Sequence, residues 1–127
     1  MIAAIDHVVL TTRDLPACVR FYTEGLGMTL ETFAGDRQAL KFGRQKINLH
    51  VYGRELEPKA HLPVPGSQDW CFLASVPMDE VLARLAAVGI PIVEGPVKRT
   101  GAQCALRSVY VRDPDLNLIE IAVPWQD

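Results

Sequence analysis

The stretch Asp113 to Val123, DPDLNLIEIAV, decides how the chain is read. Asp113-Pro114-Asp115 is a turn cluster: proline presets φ, and the aspartate side chains can hydrogen-bond the local backbone. A strand follows with Ile119, Ile121 and Val123 on one face and Leu118, Glu120 and Ala122 on the other. Glu120 is thus a single carboxylate aimed off an otherwise apolar strand, where burial is costly unless a positive group meets it.

Working back from this strand, Cys104–Val111 is a further strand, and a loop rich in Gly, Pro, Lys and Arg occupies 95–103. Before it, Pro91–Glu94 is expected to form a short strand. Met78–Val88 is expected to form a helix with apolar Met78, Val81, Leu82, Leu85 and Val88, closed by Gly89, and Asp69–Ser75 a strand. The first half shows the same order. Ile5–Thr12 is a strand with Val8 and Leu10 on one face and His7 and Val9 on the other. Asp14 caps a helix through Leu15, Cys18, Val19, Tyr22 and Leu26, which Gly25 and Gly27 end. Strands at Met28–Phe33, Gln38–Phe42 and Lys46–Tyr52 complete it. The polar stretch before Asp69, broken by Pro58, Pro63 and Pro65, reads as a connection. This divides the chain into module one, 1–53, a linker, 54–68, and module two, 69–127.

The halves align as an internal repeat. Gly27-Met28 corresponds to Gly89-Ile90, an offset of 62 residues (27 to 89), and the same offset carries His7 onto Asp69. The last strands align Ile47-Asn48-Leu49-His50-Val51 with Ile119-Glu120-Ile121-Ala122-Val123, an offset of 72 (47 to 119), the extra residues fitting the longer loop near Arg99. His7, Asn48, Asp69 and Glu120 therefore hold equivalent places on the faces turned away from the helices, and they are expected to line one cleft. Taken singly, each has a plainer reading: a hydrogen-bonded core histidine, a turn aspartate, a solvent-facing glutamate. Together they do not, because two carboxylates about 4 Å apart repel by roughly 4 kcal/mol at an effective dielectric of about 20.

Composition excludes other classes. With 127 residues, 49% of them hydrophobic, the chain has room for one domain. Thirteen basic against fifteen acidic residues leave no basic footprint for nucleic acid. No charge run points to a membrane surface, and no apolar run is long enough to span one. No signal peptide is recognised, and Cys18, Cys71 and Cys104, odd in number and widely spaced, read as reduced thiols. A cytoplasmic protein with a small-molecule partner is the expectation, and none of the cysteines reads as a nucleophile.

The duplicated strand-helix-three-strand order, the histidine on the first strand and DPDLNLIEI at the end resemble the vicinal oxygen chelate superfamily, which includes glyoxalase I, extradiol dioxygenases, fosfomycin-modifying thiol transferases and bleomycin-binding proteins. NLH, EPKAHLPVPGSQD and GPVKRTG bring the chain nearest to short glyoxalase-domain-containing and virulence-associated lyase-like proteins. The resemblance covers essentially the whole chain. It implies an α+β fold of two βαβββ modules, each a curved mixed sheet forming a half-barrel, paired around a cleft. It further implies a divalent metal held by His7, Asp69 and Glu120, with Asn48 or His50 as a further donor. Ser108, Tyr110 and Arg99 would contact substrate.

The implied activity is that of a metal-dependent lyase or isomerase of glyoxalase type. It would act on a small substrate with vicinal oxygens through a metal-stabilised enediolate, with Glu120 as base. The oxygen-rich donor set favours Ni, Co, Mn, Zn or Mg over iron, and a thiol cosubstrate such as glutathione is consistent with the family. Relatives also imply a homodimer. Two alternatives stay open: an extradiol ring-cleaving dioxygenase, which needs a second histidine such as His50, and a metal-free antibiotic-binding or resistance protein. His61, in the linker, is expected to face solvent, and Lys98 and Arg107 are expected to serve solubility.

Overall fold

The computed structural model describes residues 1–126. Two compact units are present, Met1–Ser67 and the part from Gln68 onward. Unit one runs β1 (His7–Thr12), α1 (Leu15–Arg20), a π-helical turn (Phe21–Gly25), β2 (Thr29–Phe33), β3 (Arg37–Phe42) and β4 (Gln45–Val51). Unit two runs β5 (Asp69–Leu73), α2 (Met78–Ala87), β6 (Glu94–Thr100), β7 (Ala105–Arg112) and β8 (Leu118–Pro124). Each unit has one open four-stranded mixed sheet, ordered β1-β4-β3-β2 in the first and β5-β8-β7-β6 in the second. In each, the first strand pairs in parallel with the last, and the other pairings are antiparallel. This is the α+β class expected, without a closed barrel.

Alternation along the strands sorts the side chains. In unit one Leu10, Leu40 and Ile47 point to the face where α1 and the following turn bury Cys18 and Tyr22. In unit two Val109, Val111, Ile119 and Ile121 join Met78, Val81 and Leu85 of α2. Full burial of each such side chain is worth about 1.5–3 kcal/mol, so these faces fix which side of each sheet is left for chemistry.

The helix boundaries follow local chemistry. Asp14 caps α1 by accepting from the Ala17 N–H at 3.1 Å. The continuous helix expected through Leu26 instead changes at Phe21 into a π-helical turn. It ends at Gly27, whose φ of +81° a side chain would strain. In α2, Asp79 and Glu80 lie in the first turn, and Glu80 pairs with Arg84 at 2.7 Å.

The strand expected at 91–94 is not formed. The sixth strand is Glu94–Thr100, inside the segment expected to be a loop, and the irregular stretch is only 101–104. The prolines and glycine there suggested a loop, but a register shift between Glu94 and Val97 accommodates Gly95 and Pro96 in the ladder with β7. Gly95 is required at that point: a Cβ there would lie 2.4 Å from the Ser108 carbonyl oxygen. Arg99 is therefore a strand residue, placed opposite Leu106.

The Asp113–Asn117 turn is held by its own side chains. Asp113 Oδ1 accepts from the N–H groups of Asp115 and Asn117, each at 2.9 Å, and its Oδ2 accepts from Asn117 Nδ2 at 2.8 Å. Asn117 Oδ1 in turn accepts from the Gln68 N–H at 2.8 Å, tying the entry of β5 to the entry of β8. The turn chemistry read from the sequence is present, and it sets the register of the strand that carries Glu120.

Candidate functional site

The β-registers make the internal repeat explicit. Val9 is opposite Asn48 in the parallel pair β1–β4, and Cys71 is opposite Glu120 in β5–β8. His7 and Asp69 each precede that position by two residues on the first strand of their unit. Each unit thus presents one donor pair at the same place on its sheet, His7 with Asn48 and Asp69 with Glu120, on the face away from the helix-packed residues.

In unit one, His7 Nδ1 lies 2.8 Å from Asp6 Oδ2. A carboxylate only accepts, so Nδ1 donates and Nε2 is the ring nitrogen left to face a ligand, the orientation found behind metal-bound imidazoles. This hydrogen bond and the charge of His7 hold the Asp6 carboxyl below the usual range. Asn48 is 6% exposed, and its Oδ1 is buried without a hydrogen-bond partner. Two residues on, His50 shares that face and is also buried. Burial, and then the charge of Arg37, push its imidazole below the ordinary histidine range, so it is held neutral.

In unit two, Glu120 is half-buried and flanked on both sides. Tyr110 on β7 and Cys71 on β5 are its cross-strand partners. Fully buried Ser108 donates its hydroxyl to Glu120 Oε2 at 2.7 Å, a short charge-assisted bond that holds one carboxylate oxygen. Arg99 Nε donates to the Tyr110 hydroxyl oxygen at 2.9 Å, and its Nη2 reaches Glu94 at 3.4 Å. Burial raises the Tyr110 phenol above its usual range, with nearby Glu120 acting in the same direction, so the tyrosine keeps its proton. Burial, and then Glu120, push the Cys71 thiol up to about 11. A thiol so disfavoured as thiolate is no nucleophile at neutral pH. Asp69 is exposed on the same face.

The metal-donor and substrate-contact residues named from the sequence therefore stand on the two helix-distal faces: His7, Asn48 and His50 on one, Asp69, Glu120, Ser108, Tyr110 and Arg99 on the other. Among the described residues, no three His, Cys, Asp or Glu side chains are gathered into an ion-holding group. The donors nevertheless fit a divalent cation by their chemistry, with an imidazole already oriented through its other nitrogen, an orphaned amide oxygen and a carboxylate anchored through one oxygen. His61 is exposed, as expected. Sequence reasoning missed Asp6 and Cys71. Both were within reach of strand alternation and nearest-neighbour logic: Asp6 adjoins His7, and Cys71 shares a face with Asp69.

The sequence profile of the Glyoxalase/Bleomycin resistance protein/Dioxygenase superfamily matches residues 4–121. The chain belongs to that superfamily. It is 53% identical over 122 residues to virulence protein STM3117 of Salmonella typhimurium, covering 96% of this chain and 85% of that one. The crystal structure of STM3117 superposes with a TM-score of 0.96 at 52% identity, covering 98% of this chain and 99% of that one. Glyoxalase domain-containing protein RDO1 of Mycosarcoma maydis is 50% identical over 126 residues, covering 99% of this chain and 70% of that protein. A lactoylglutathione lyase from Agrobacterium tumefaciens is similar at 28% identity with a TM-score of 0.70, covering 95% of this chain and 93% of that one. No helix among the described residues is long and apolar enough to cross a membrane.

Proposed function

We propose that this chain is a metal-dependent lyase or isomerase of glyoxalase type, acting on a small substrate with two neighbouring oxygens. The observation that carries the reading is the repeated donor pair, with Glu120 anchored by Ser108 at 2.7 Å. His7, Asp69 and Glu120 would hold the cation, with Asn48 or His50 adding a donor. When bound, the metal supplies a Lewis acid that eases loss of a proton beside a carbonyl. Its identity is proposed among Ni, Co, Mn, Zn and Mg, which suit a set with more oxygen than nitrogen.

The chain's own residues then do the rest. Glu120, with one oxygen fixed by Ser108, takes a proton from one carbon and returns it to the neighbouring one. The protonated hydroxyl of Tyr110, held by Arg99, is a donor for a substrate oxygen. Relatedness to a lactoylglutathione lyase supports a thiol adduct such as that of glutathione as one substrate form. A homodimer in the cytoplasm completes the proposal.

The test is exchange of the substrate α-proton in heavy water, followed by NMR, with small α-hydroxyketones and thiol adducts of α-oxoaldehydes and each metal in turn. Catalysed exchange, abolished by a chelator and reduced about 100-fold or more in Glu120→Gln, supports the proposal. Exchange at the background rate with every metal, or unchanged in Glu120→Gln, overturns it. A second reading, a ring-cleaving dioxygenase, has the buried neutral imidazole of His50 in its favour, since two histidines and one carboxylate form the facial triad of such iron enzymes. Oxygen uptake with catechols that is lost in His50→Ala would support it instead.

A further inference from the structure

The face of the first sheet that carries His7, Asn48 and His50 also carries three cations. Ala39 is opposite Asn48, so Arg37 and Lys41, two residues either side of Ala39, share its face, and Lys46 is opposite both Lys41 and His7. Lys41 is neutralised by Glu31 at 3.2 Å. Arg37 and Lys46 are not. Both are half-buried, and both converge on the ring of Phe33, with Arg37 Cζ 4.8 Å and Lys46 Nζ 4.2 Å from its centroid. Among the described residues neither reaches a carboxylate, and Asp6, which feels Lys46 at longer range, is already held by His7. A π-face attracts cations but does not cancel their mutual repulsion.

We infer that this face binds the oxyanion end of a small substrate, an organic acid or a phosphate ester, through the Arg37 guanidinium and the Lys46 ammonium, which converge on the Phe33 ring. The guanidinium fork offers two parallel donors to a carboxylate or phosphate, and the ammonium a third from the side. This deepens the lyase reading and rests on it for the identity of the site: of substrates with vicinal oxygens, it selects anionic ones over neutral carbonyl compounds.

The test is an amide-shift titration of the full chain, as purified and after dialysis against a chelator, with glycolate, inorganic phosphate and the neutral isostere glycolamide. Saturable shifts in β1 to β4 are expected with glycolate or phosphate, and the tighter of the two names the source. Affinity should fall about 10-fold or more in Arg37→Gln and in Lys46→Gln, and stay within about 2-fold in Lys41→Gln, whose lysine is already paired. Arg37→Lys keeps the charge but loses the fork, so it should bind less tightly than wild type and more tightly than Arg37→Gln, and retained amide dispersion shows that each variant folds. Equal affinity for glycolamide, an equal loss in Lys41→Gln, or no saturable binding of either anion overturns the inference. The chelated sample separates the two ideas: anion binding there survives a failed exchange assay, and a working exchange assay survives its absence.

Discussion

Ser108→Ala removes one buried hydroxyl and a single side-chain bond, the 2.7 Å hydrogen bond to Glu120 Oε2. A net hydrogen bond to a charged acceptor contributes about 1.5–3 kcal/mol. Glu120 is half-buried, so water can replace part of the lost bond, and the expected destabilisation is at the lower end, about 1.5 kcal/mol. The lost oxygen atom leaves too small a void to add a large cavity term. If Glu120 ligates a cation, freeing its second oxygen also weakens the metal by about 10- to 100-fold, the usual effect of removing an orienting partner. Two assays separate these effects. Urea unfolding of wild type, Ser108→Ala, Glu120→Gln and the double variant in a chelator gives the coupling between the two side chains, expected at about 1 kcal/mol or more. Competition with a chromophoric chelator then gives metal affinity. A destabilisation below about 0.3 kcal/mol with no coupling to Glu120 would refute the account of this bond.

Asn117→Ala breaks the bonds to the Gln68 N–H and to Asp113 Oδ2, so a loss of about 2–4 kcal/mol is expected from urea unfolding. A loss under about 1 kcal/mol would show that the turn does not hold the two strand entries together. For His50, the folded-state pKa is depressed, so the unfolded chain binds more protons and stability falls with acid. The contribution is fully present above the ordinary value of 6.5 and is lost as pH falls through the folded-state value, so His50→Asn should flatten the decline of unfolding free energy in the window from 6.5 down to the folded-state value. An unchanged slope would contradict the burial. Cys71, raised from 9.0 to about 11, should alkylate with iodoacetamide about 100-fold more slowly than an unperturbed thiol at about pH 8. Glu120→Gln should speed it, and equal rates would count against the proximity of the two groups.

The fold was legible where short-range chemistry and periodicity agree. Alternation put Ile47, Ile119 and Ile121 on the core faces, and the Asp113 turn displayed its own hydrogen-bond acceptors. The repeat located Asn48 and Glu120 at equivalent places because strand register, once fixed by the turn and the apolar face, leaves no freedom to slip by one residue. The strand Glu94–Thr100 was hidden because Gly95 and Pro96 signal a break, and only the approach of the Ser108 carbonyl reveals why a glycine sits inside a ladder. The π-helical turn at Phe21–Gly25 left no mark on the apolar spacing. The pairing of Ser108 with Glu120 and of Arg99 with Tyr110 depends on long-range strand partners, which no local pattern encodes. The convergence of Arg37 and Lys46 on Phe33 is of the same kind.

The most direct test of the central claim is element-resolved metal analysis of the purified full chain beside His7→Ala, Asp69→Ala and Glu120→Ala. The account predicts about one divalent ion per chain in the wild type after reconstitution, and loss of most of it in each variant with folding intact. A wild type that retains no stoichiometric ion, or variants that retain as much as the wild type, would contradict it.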